Sequence, residues 1–267
     1  MKKQIRKGLG QLEGALLSRL SAELRDEVFT FSEAKEVLGI SNRKLSNLLY
    51  RLAESRWLEH IERGRYIFLP LEAGPEADYA TNPLIIARKL ISPYYIGFAT
   101  ALNYHGMTEQ VSRITYIAGV KPKKAMKFHE EEYKFVKLAK KRFFGFRDEW
   151  LGNMKFNLSD KEKTVIDCLF MPEYCGGITE AVKAFKGELD YGKLYDYSLR
   201  MEDVGVLKRL GYILDALEIG HETEAKLSEK VGGGFALLDP SGRKNGNINR
   251  KWRIIENLSI GDLKAEL

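Results

Sequence analysis

The alternation of apolar and polar positions changes its rhythm along the chain. Over residues 5–24 the apolar positions Leu9, Leu12, Leu16, Leu17 and Leu20 form one stripe of helical period. Thr30 and Glu33 then stand at capping-box spacing and open a second helix, with Ala34, Val37 and Leu38 turned inward. Gly39 supplies the left-handed residue that ends a helix, and Ser41 can cap the next one. In that third helix Leu45, Leu48, Leu49 and Leu52 follow the i, i+3, i+4, i+7 rule of a buried face. Two short strands are predicted at 57–61 and 65–69, with Arg63 and Gly64 at the turn between them.

The stretch "PLEAGPEADYATNP" interrupts every periodicity with prolines and polar residues. It predicts a boundary, giving a first domain over 1–72, a linker over 73–82 and a second domain over 83–267. Beyond it, "PLIIARKL" and "YYIGFATALNYHGM" read as helices, the latter through Ile96, Ala99, Leu102 and Asn103. "RITYIAGV", "EYKFVKLA" and "NMKFNLS" alternate or are rich in β-branched and aromatic residues, and read as strands. Ser159 and Glu162 repeat the capping-box spacing before a stripe of Val165, Ile166, Leu169 and Phe170. Further helices are predicted over 178–185, 191–200 and 204–217, with possible strands at "FALLD" and "KWRII". The fold class expected is α+β. A three-helix domain with a hairpin, a winged helix-turn-helix, precedes a mixed α/β domain whose small, mainly antiparallel sheet is flanked by helices.

Composition narrows the function classes. Of the 267 residues 44% are hydrophobic and 30% charged, the balance of a globular protein. No apolar run approaches the roughly 20 residues of a membrane span, and Gly, Gln and Glu interrupt the opening "MKKQIRKGLGQLEGALL", so no membrane partner, signal or anchor is expected and the expected compartment is the cytoplasm. In that reducing setting Cys168 and Cys175 are expected as ordinary, partly buried thiols, and without a second pair they do not suggest a zinc site. The net charge of +6 favours anionic partners.

The location of that charge carries more. With its leucines inward, the third helix turns Arg43, Lys44, Asn47, Tyr50 and Arg51 outward. Arg and Lys donate to guanine acceptors, Asn pairs with adenine, and Tyr reaches phosphate. Ser41 and Asn42 stand at the positive helix start, where a phosphate can be met, and Arg63 and Arg65 flank the hairpin turn. Residues 42–65 hold six Arg or Lys against three Glu, all three Glu late in the helix or in the hairpin. The pattern fits double-stranded DNA, with the third helix in the major groove. The alternative is the same fold used for protein contacts.

A second basic segment covers 121–147, with ten Lys or Arg against three Glu. Its candidates are Lys121, Lys123, Lys124, Lys127, Lys134, Lys137, Lys140, Lys141 and Arg142, interleaved with Phe128, Tyr133, Phe135, Phe143, Phe144 and Phe146. It reads equally as a nucleic-acid surface or as lysines that protect a sheet edge. No catalytic set, cofactor motif or metal spacing emerges, and the protein is not expected to be an enzyme. His105, His129 and His221 are isolated, and "VGGGF" lacks the Lys and Ser or Thr of a phosphate loop. Glu132 and Lys134 match the end of a metal-dependent nuclease motif, but residues 113–120 offer no Asp to complete it.

The segments "YYIGFATALNYHGMTEQ", "KRFFGFRDEW", "LSDKEKTVIDCLFMPEYCGGITEAVKAF", "LKRLGYILDALE" and "LLDPSGRKNGNINRKWRIIEN" occur in this order. Together they resemble the C-terminal region of the AbiEi-family antitoxins of bacterial and archaeal type IV toxin–antitoxin systems, which carry an N-terminal winged helix. The resemblance covers nearly the whole chain. It implies an autorepressing DNA-binding protein acting on inverted repeats in its own promoter, and a nucleotidyltransferase-like toxin as its functional counterpart. The family's binding face maps onto residues 41–51 and the hairpin. Glu162, Lys163, Thr164 and Asp167 match the family's "EK-T-x-x-D" run, with a fold-building role expected for them. A winged-helix regulator whose second domain senses a small ligand remains the alternative.

Overall fold

The computed structural model describes residues 5–24, 26–79, 81–259 and 261. Met1–Gln4, the start of the segment read as neither signal nor anchor, lie outside the described residues. The chain is a mixed α and β protein in two compact units: one runs to Ser92 and takes in Leu151–Met154, the other comprises Pro93–Trp150 and the chain from Lys155. No helix among the described residues is long and apolar enough to cross a membrane.

The first unit holds α1 (Gln11–Leu24), β1 (Val28–Thr30), α2 (Phe31–Leu38), α3 (Asn42–Glu54), β2 (Leu58–Glu62), β3 (Arg65–Phe68) and α4 (Pro83–Leu90). Thr30 and Glu33 close the expected capping box on α2, and Gly39 ends that helix at φ 64°. Leu45, Leu48, Leu49 and Leu52 are buried together with Leu20, Phe29, Ala34, Leu38 and Leu58. Helix α1 starts six residues later than the stripe suggested. The preceding stretch instead bonds to the end of α3 and the strands: Lys7 N–H donates to Ser55 O at 3.2 Å, and the Arg6 guanidinium to the carbonyls of Arg56, Leu69 and Pro70. The sheet order is β1-β3-β2, antiparallel throughout.

Helix α4 corrects the expected division of the chain. It packs against β1, and Asp26 just before that strand receives both Arg88 and Lys89, the latter at 3.2 Å. Lys89 also reaches Glu33 of the α2 capping box at 2.6 Å. The proline-rich stretch is therefore a connection inside the first unit, and the chain passes to the second between Ser92 and Pro93. Pro83 is a helix-starting residue rather than a breaker: Asn82 caps α4 through the Leu84 N–H at 2.9 Å, and the N–H that proline lacks would have no helical partner there.

The second unit contains β4 (Tyr94–Ile96), α5 (Phe98–Tyr104), β5 (Ile114–Gly119), β6 (Met126–Phe128), β7 (Glu131–Lys137), β8 (Phe146–Leu151), β9 (Met154–Ser159) and α6 (Lys161–Phe170). It continues with α7 (Ile178–Lys183), α8 (Tyr191–Arg200), α9 (Val204–Leu217), α10 (His221–Ser228), β10 (Ala236–Leu237), β11 (Asn247–Asn249) and β12 (Ile254–Glu256). The larger sheet has the order β6-β7-β5-β4-β9-β8. It is mixed, not mainly antiparallel, because β5 runs parallel to β7 and β4 parallel to β9. Tyr94, Tyr95 and Ile96, expected in a helix, form a buried strand in the middle of this sheet, and the helix begins only after Gly97. The cap of α6 is Asp160, which accepts from the Lys163 N–H at 2.8 Å, while Ser159 ends β9. A smaller sheet, β10-β12-β11, lies against α9, where Trp252 packs so closely on Gly211 that a Cβ there would come within 2.0 Å of the indole. Cys168 and Cys175 are not free thiols: they are joined in a disulfide, with Cα atoms 5.7 Å apart. The 3-10 turn after α6 folds the chain back and brings the two buried sulfurs together.

Candidate nucleic-acid interface

Helix α3 sorts its residues cleanly. The four leucines are buried, and Ser41, Asn42, Arg43, Lys44, Asn47, Tyr50 and Arg51 are exposed, Tyr50 by 67%. Ser41 occupies the N-cap position but its hydroxyl makes no cap hydrogen bond. Among the described residues the side chains of Arg43, Lys44, Asn47 and Tyr50 have no hydrogen-bond or ionic partner. Arg51 is the exception on this face, its Nε 3.0 Å from Glu13 of α1. So Arg43, Lys44, Asn47 and Tyr50 present polar groups that no described residue engages, while Arg51 in the last turn is anchored. The open positive end of the helix adds to the attraction for an anion at Ser41 and Asn42.

The β2–β3 hairpin divides the two arginines expected to act together. Arg63 is exposed beside Gly64, whose φ of 75° makes the turn. Arg65 is half-buried, pairs with Glu62 at 2.7 Å, and donates from Nε to the Lys89 carbonyl at the end of α4. A guanidinium engaged by a carboxylate and by the negative end of a helix is a structural tie, so Arg65 serves the hairpin rather than a ligand.

The second basic segment is less uniform than its composition. Lys121, Lys124, Lys127, Lys137 and Lys140 are exposed. Lys123 lies over the Phe135 ring at 4.8 Å, and Lys134 is 3.8 Å from Glu132. Lys141 pairs with Glu202, and Arg142 donates to the Met201 carbonyl at 2.8 Å while its guanidinium covers Phe170. The interleaved aromatics do not form an exposed stacking face. Tyr133 and Phe144 are buried, and Phe143 and Phe146 pack on Tyr95 in the core. Lys127, on the edge strand β6, fits the edge-protecting reading.

The matched run in α6 builds a buried charge cluster. Lys163 and Asp167 form an ion pair with both side chains fully buried, the Tyr95 hydroxyl donates to Asp167 at 2.6 Å, and the ammonium sits 4.5 Å over the Phe144 ring. Burial pushes the Asp167 carboxyl up from its ordinary value, with Lys163 opposing, and pushes the Tyr95 hydroxyl well up. Glu162, also buried, pairs with Lys193 at 2.9 Å, which holds its carboxyl down against the effect of burial, and Thr164 bonds to the Asp160 carbonyl at 2.7 Å. The His105 ring bonds to the Ser159 carbonyl at 2.7 Å. No group of three His, Cys, Asp or Glu among the described residues could hold a metal ion. Sequence reading missed the part played by α4, and also a second use of lysine: Lys208 of α9, buried, donates to the carbonyls of Gly233 and Gly234 in "VGGGF" at 2.9 and 2.6 Å.

The fold has been seen before. The Rv2827c protein from Mycobacterium tuberculosis, known from a crystal structure, matches it with a TM-score of 0.68 over 98% of this chain and 97% of that one, at 13% sequence identity. At that identity the likeness is one of fold. No protein-family profile matches the sequence, and no curated protein matches it.

Proposed function

We propose that this chain is a sequence-specific DNA-binding protein, an autorepressor that serves as the antitoxin of a type IV toxin–antitoxin pair. On this reading its first unit is a winged helix-turn-helix, with α2 and α3 as the paired helices, α3 as the reading helix in the major groove, and the β2–β3 hairpin as the wing. The observation that carries the DNA-binding part is the outer face of α3, where Arg43, Lys44, Asn47 and Tyr50 are exposed and have no partner among the described residues. Those side chains suit guanine, adenine and phosphate. The antitoxin part is supported by the ordered segments that resemble the AbiEi family, and a nucleotidyltransferase-like toxin is its proposed functional counterpart. The mechanism needs no catalytic group: occupancy of the promoter blocks transcription, and inverted repeats would present the same face of DNA to two copies.

Gel-shift titration of the protein's own promoter tests the DNA-binding part. Arg43→Ala and Asn47→Ala are each expected to weaken operator binding by about 1–3 kcal/mol and to relax base preference at one position. Equal losses on operator and random duplex would reduce α3 to a phosphate contact. Co-expression with a nucleotidyltransferase-like toxin tests the antitoxin part, and growth arrest unrelieved by the full chain would remove it.

A further inference from the structure

The loop "VGGGF" has no Lys of its own. The fold supplies one from elsewhere. Lys208 of α9 holds the carbonyls of Gly233 and Gly234, at 2.9 and 2.6 Å. In a trans peptide the carbonyl and the N–H of one unit point in opposite directions. Fixing these two carbonyls on Lys208 therefore turns the N–H groups of Gly234 and Phe235 away from it. Neither N–H has a backbone acceptor among the described residues. Gly234 has φ 70°, the left-handed turn that gathers consecutive N–H groups into an anion-binding nest.

Two arginines and an aromatic ring lie at the same end of the sheet as that loop. A Cβ placed on Gly233 would lie 4.0 Å from the Arg253 guanidinium, and the Arg253 carbonyl receives the Ala236 N–H at 3.0 Å, so Arg253 borders the loop. Ala236 and Asn249 both pair with Ile254 in the small sheet. Phe235, Arg253 and Arg250, each one residue beyond these partners, therefore share one end of a sheet about 10 Å across. Phe235 is 54% exposed, and both arginines are exposed with no ionic partner among the described residues. From Pro240 to Ile255 the chain has five Arg or Lys and no Asp or Glu. Of these, Lys251 is committed to Asp215 and Glu224. Among the described residues Lys208 has no carboxylate partner, and burial and the Arg253 charge hold it below the ordinary lysine value. Its neighbour Arg209 donates to the Leu237 carbonyl at 3.0 Å and so fixes β10.

We propose that this end of the small sheet is a nucleotide site. The Gly234 and Phe235 N–H groups and Arg253 take a phosphate, and the Phe235 ring stacks on the attached base. Lys208 is a positioning residue: it orients the loop and adds positive potential from below. The shared chemistry is a base with its phosphate, supplied either by a free nucleotide or by one unit of a single strand. The site uses nothing on α3 and stands or falls apart from the operator reading.

The test is calorimetric titration of the full chain with AMP and, separately, with a six-nucleotide oligo(A) RNA. Phe235→Ala and Arg253→Asn are compared with the wild type, Asn being chosen because it tolerates the φ of 51° at this position. Both changes are on the surface, and unchanged melting temperatures will show that the fold is kept. Each variant is expected to lose tenfold or more in affinity for at least one probe, and inorganic phosphate should compete with that probe. AMP binding as tight as the oligonucleotide's would identify a free nucleotide as the ligand, and a hundredfold preference for the oligonucleotide would identify a strand. The proposal is overturned if neither probe binds at millimolar concentration, or if both variants bind both probes like the wild type.

Discussion

Replacing Lys163 by Met removes a charge from the interior while nearly conserving volume. The ammonium lost is one of two donors to Asp167, and the Tyr95 hydroxyl is the one that stays. Breaking one partner of a buried pair costs about 3–5 kcal/mol, since the remaining charge is neither hydrated nor matched. The pH dependence makes the reasoning sharper. Burial already raises the folded-state value of Asp167 and Lys163 opposes it, so losing Lys163 raises it further. A carboxyl with a raised folded value contributes stability that is complete below its unfolded value, near 4, and is lost as pH rises through the folded one. Each pH unit in that window is worth about 1.4 kcal/mol. Between pH 5 and pH 7 the variant should therefore lose up to about 3 kcal/mol more than the wild type loses. Urea unfolding in a Trp57→Phe background, where Trp150 and Trp252 report on the second unit, measures this. Adding Asp167→Leu should restore most of the loss and abolish the pH dependence. A Lys163→Met penalty below about 1 kcal/mol, or one that is the same at pH 5 and pH 7, would refute the account of this cluster as a coupled buried pair.

The two hairpin arginines should behave differently. Arg63→Ala is expected to lower the slope of log affinity against log salt by about one unit at unchanged stability, whereas Arg65→Ala should leave the slope alone and lower the melting temperature of the first unit. An equal slope change in both would show that Arg65 also touches phosphate. A fragment of residues 1–92 should fold and bind duplex DNA, while a fragment ending at residue 72 should show poorer amide protection in β1 and α2, because it lacks the ion pairs of Arg88 and Lys89 with Asp26 and Glu33. Matching hydrogen-exchange profiles for the two fragments would remove α4 from the structural unit.

Long, periodic segments were legible in the sequence, and short ones were not. Helices α8 and α9 stand where their apolar spacing put them, and the capping box and Gly39 fixed both ends of α2. The strands β1, β4 and β11 have three residues each, too few for a period-2 pattern to show. By pattern Tyr94–Ile96 reads as part of the adjoining helix, because Ile96, Ala99 and Leu102 keep helical spacing across Gly97, and the pairing with β5 and β9 overrides it. The inner and outer faces of α3 were readable because four leucines leave one polar remainder. The different duties of Arg63 and Arg65 were not, since they depend on a carbonyl of Lys89. The same holds for the lysine of the Gly-rich loop, which comes from another helix, and for the disulfide, where the expected compartment argued against bonding and the turn after α6 decided it.

The placement of β4 sets an order of events during synthesis. Every helix and strand named in the first unit lies before Ser92, and its sheet closes between residues 28 and 68. In the second unit β4 is made first, yet it is completed on one side only when Leu158 of β9 arrives beside Ile96. A ribosome extending the chain N-terminus first therefore releases a segment able to fold long before the central strand of the larger sheet has both neighbours. Until then Tyr95 and Ile96, fully buried in the finished protein, have one flank uncovered. A chain stalled or cut before residue 158 would carry a finished helical head joined to an open, apolar strand edge, the combination that invites pairing between incomplete chains.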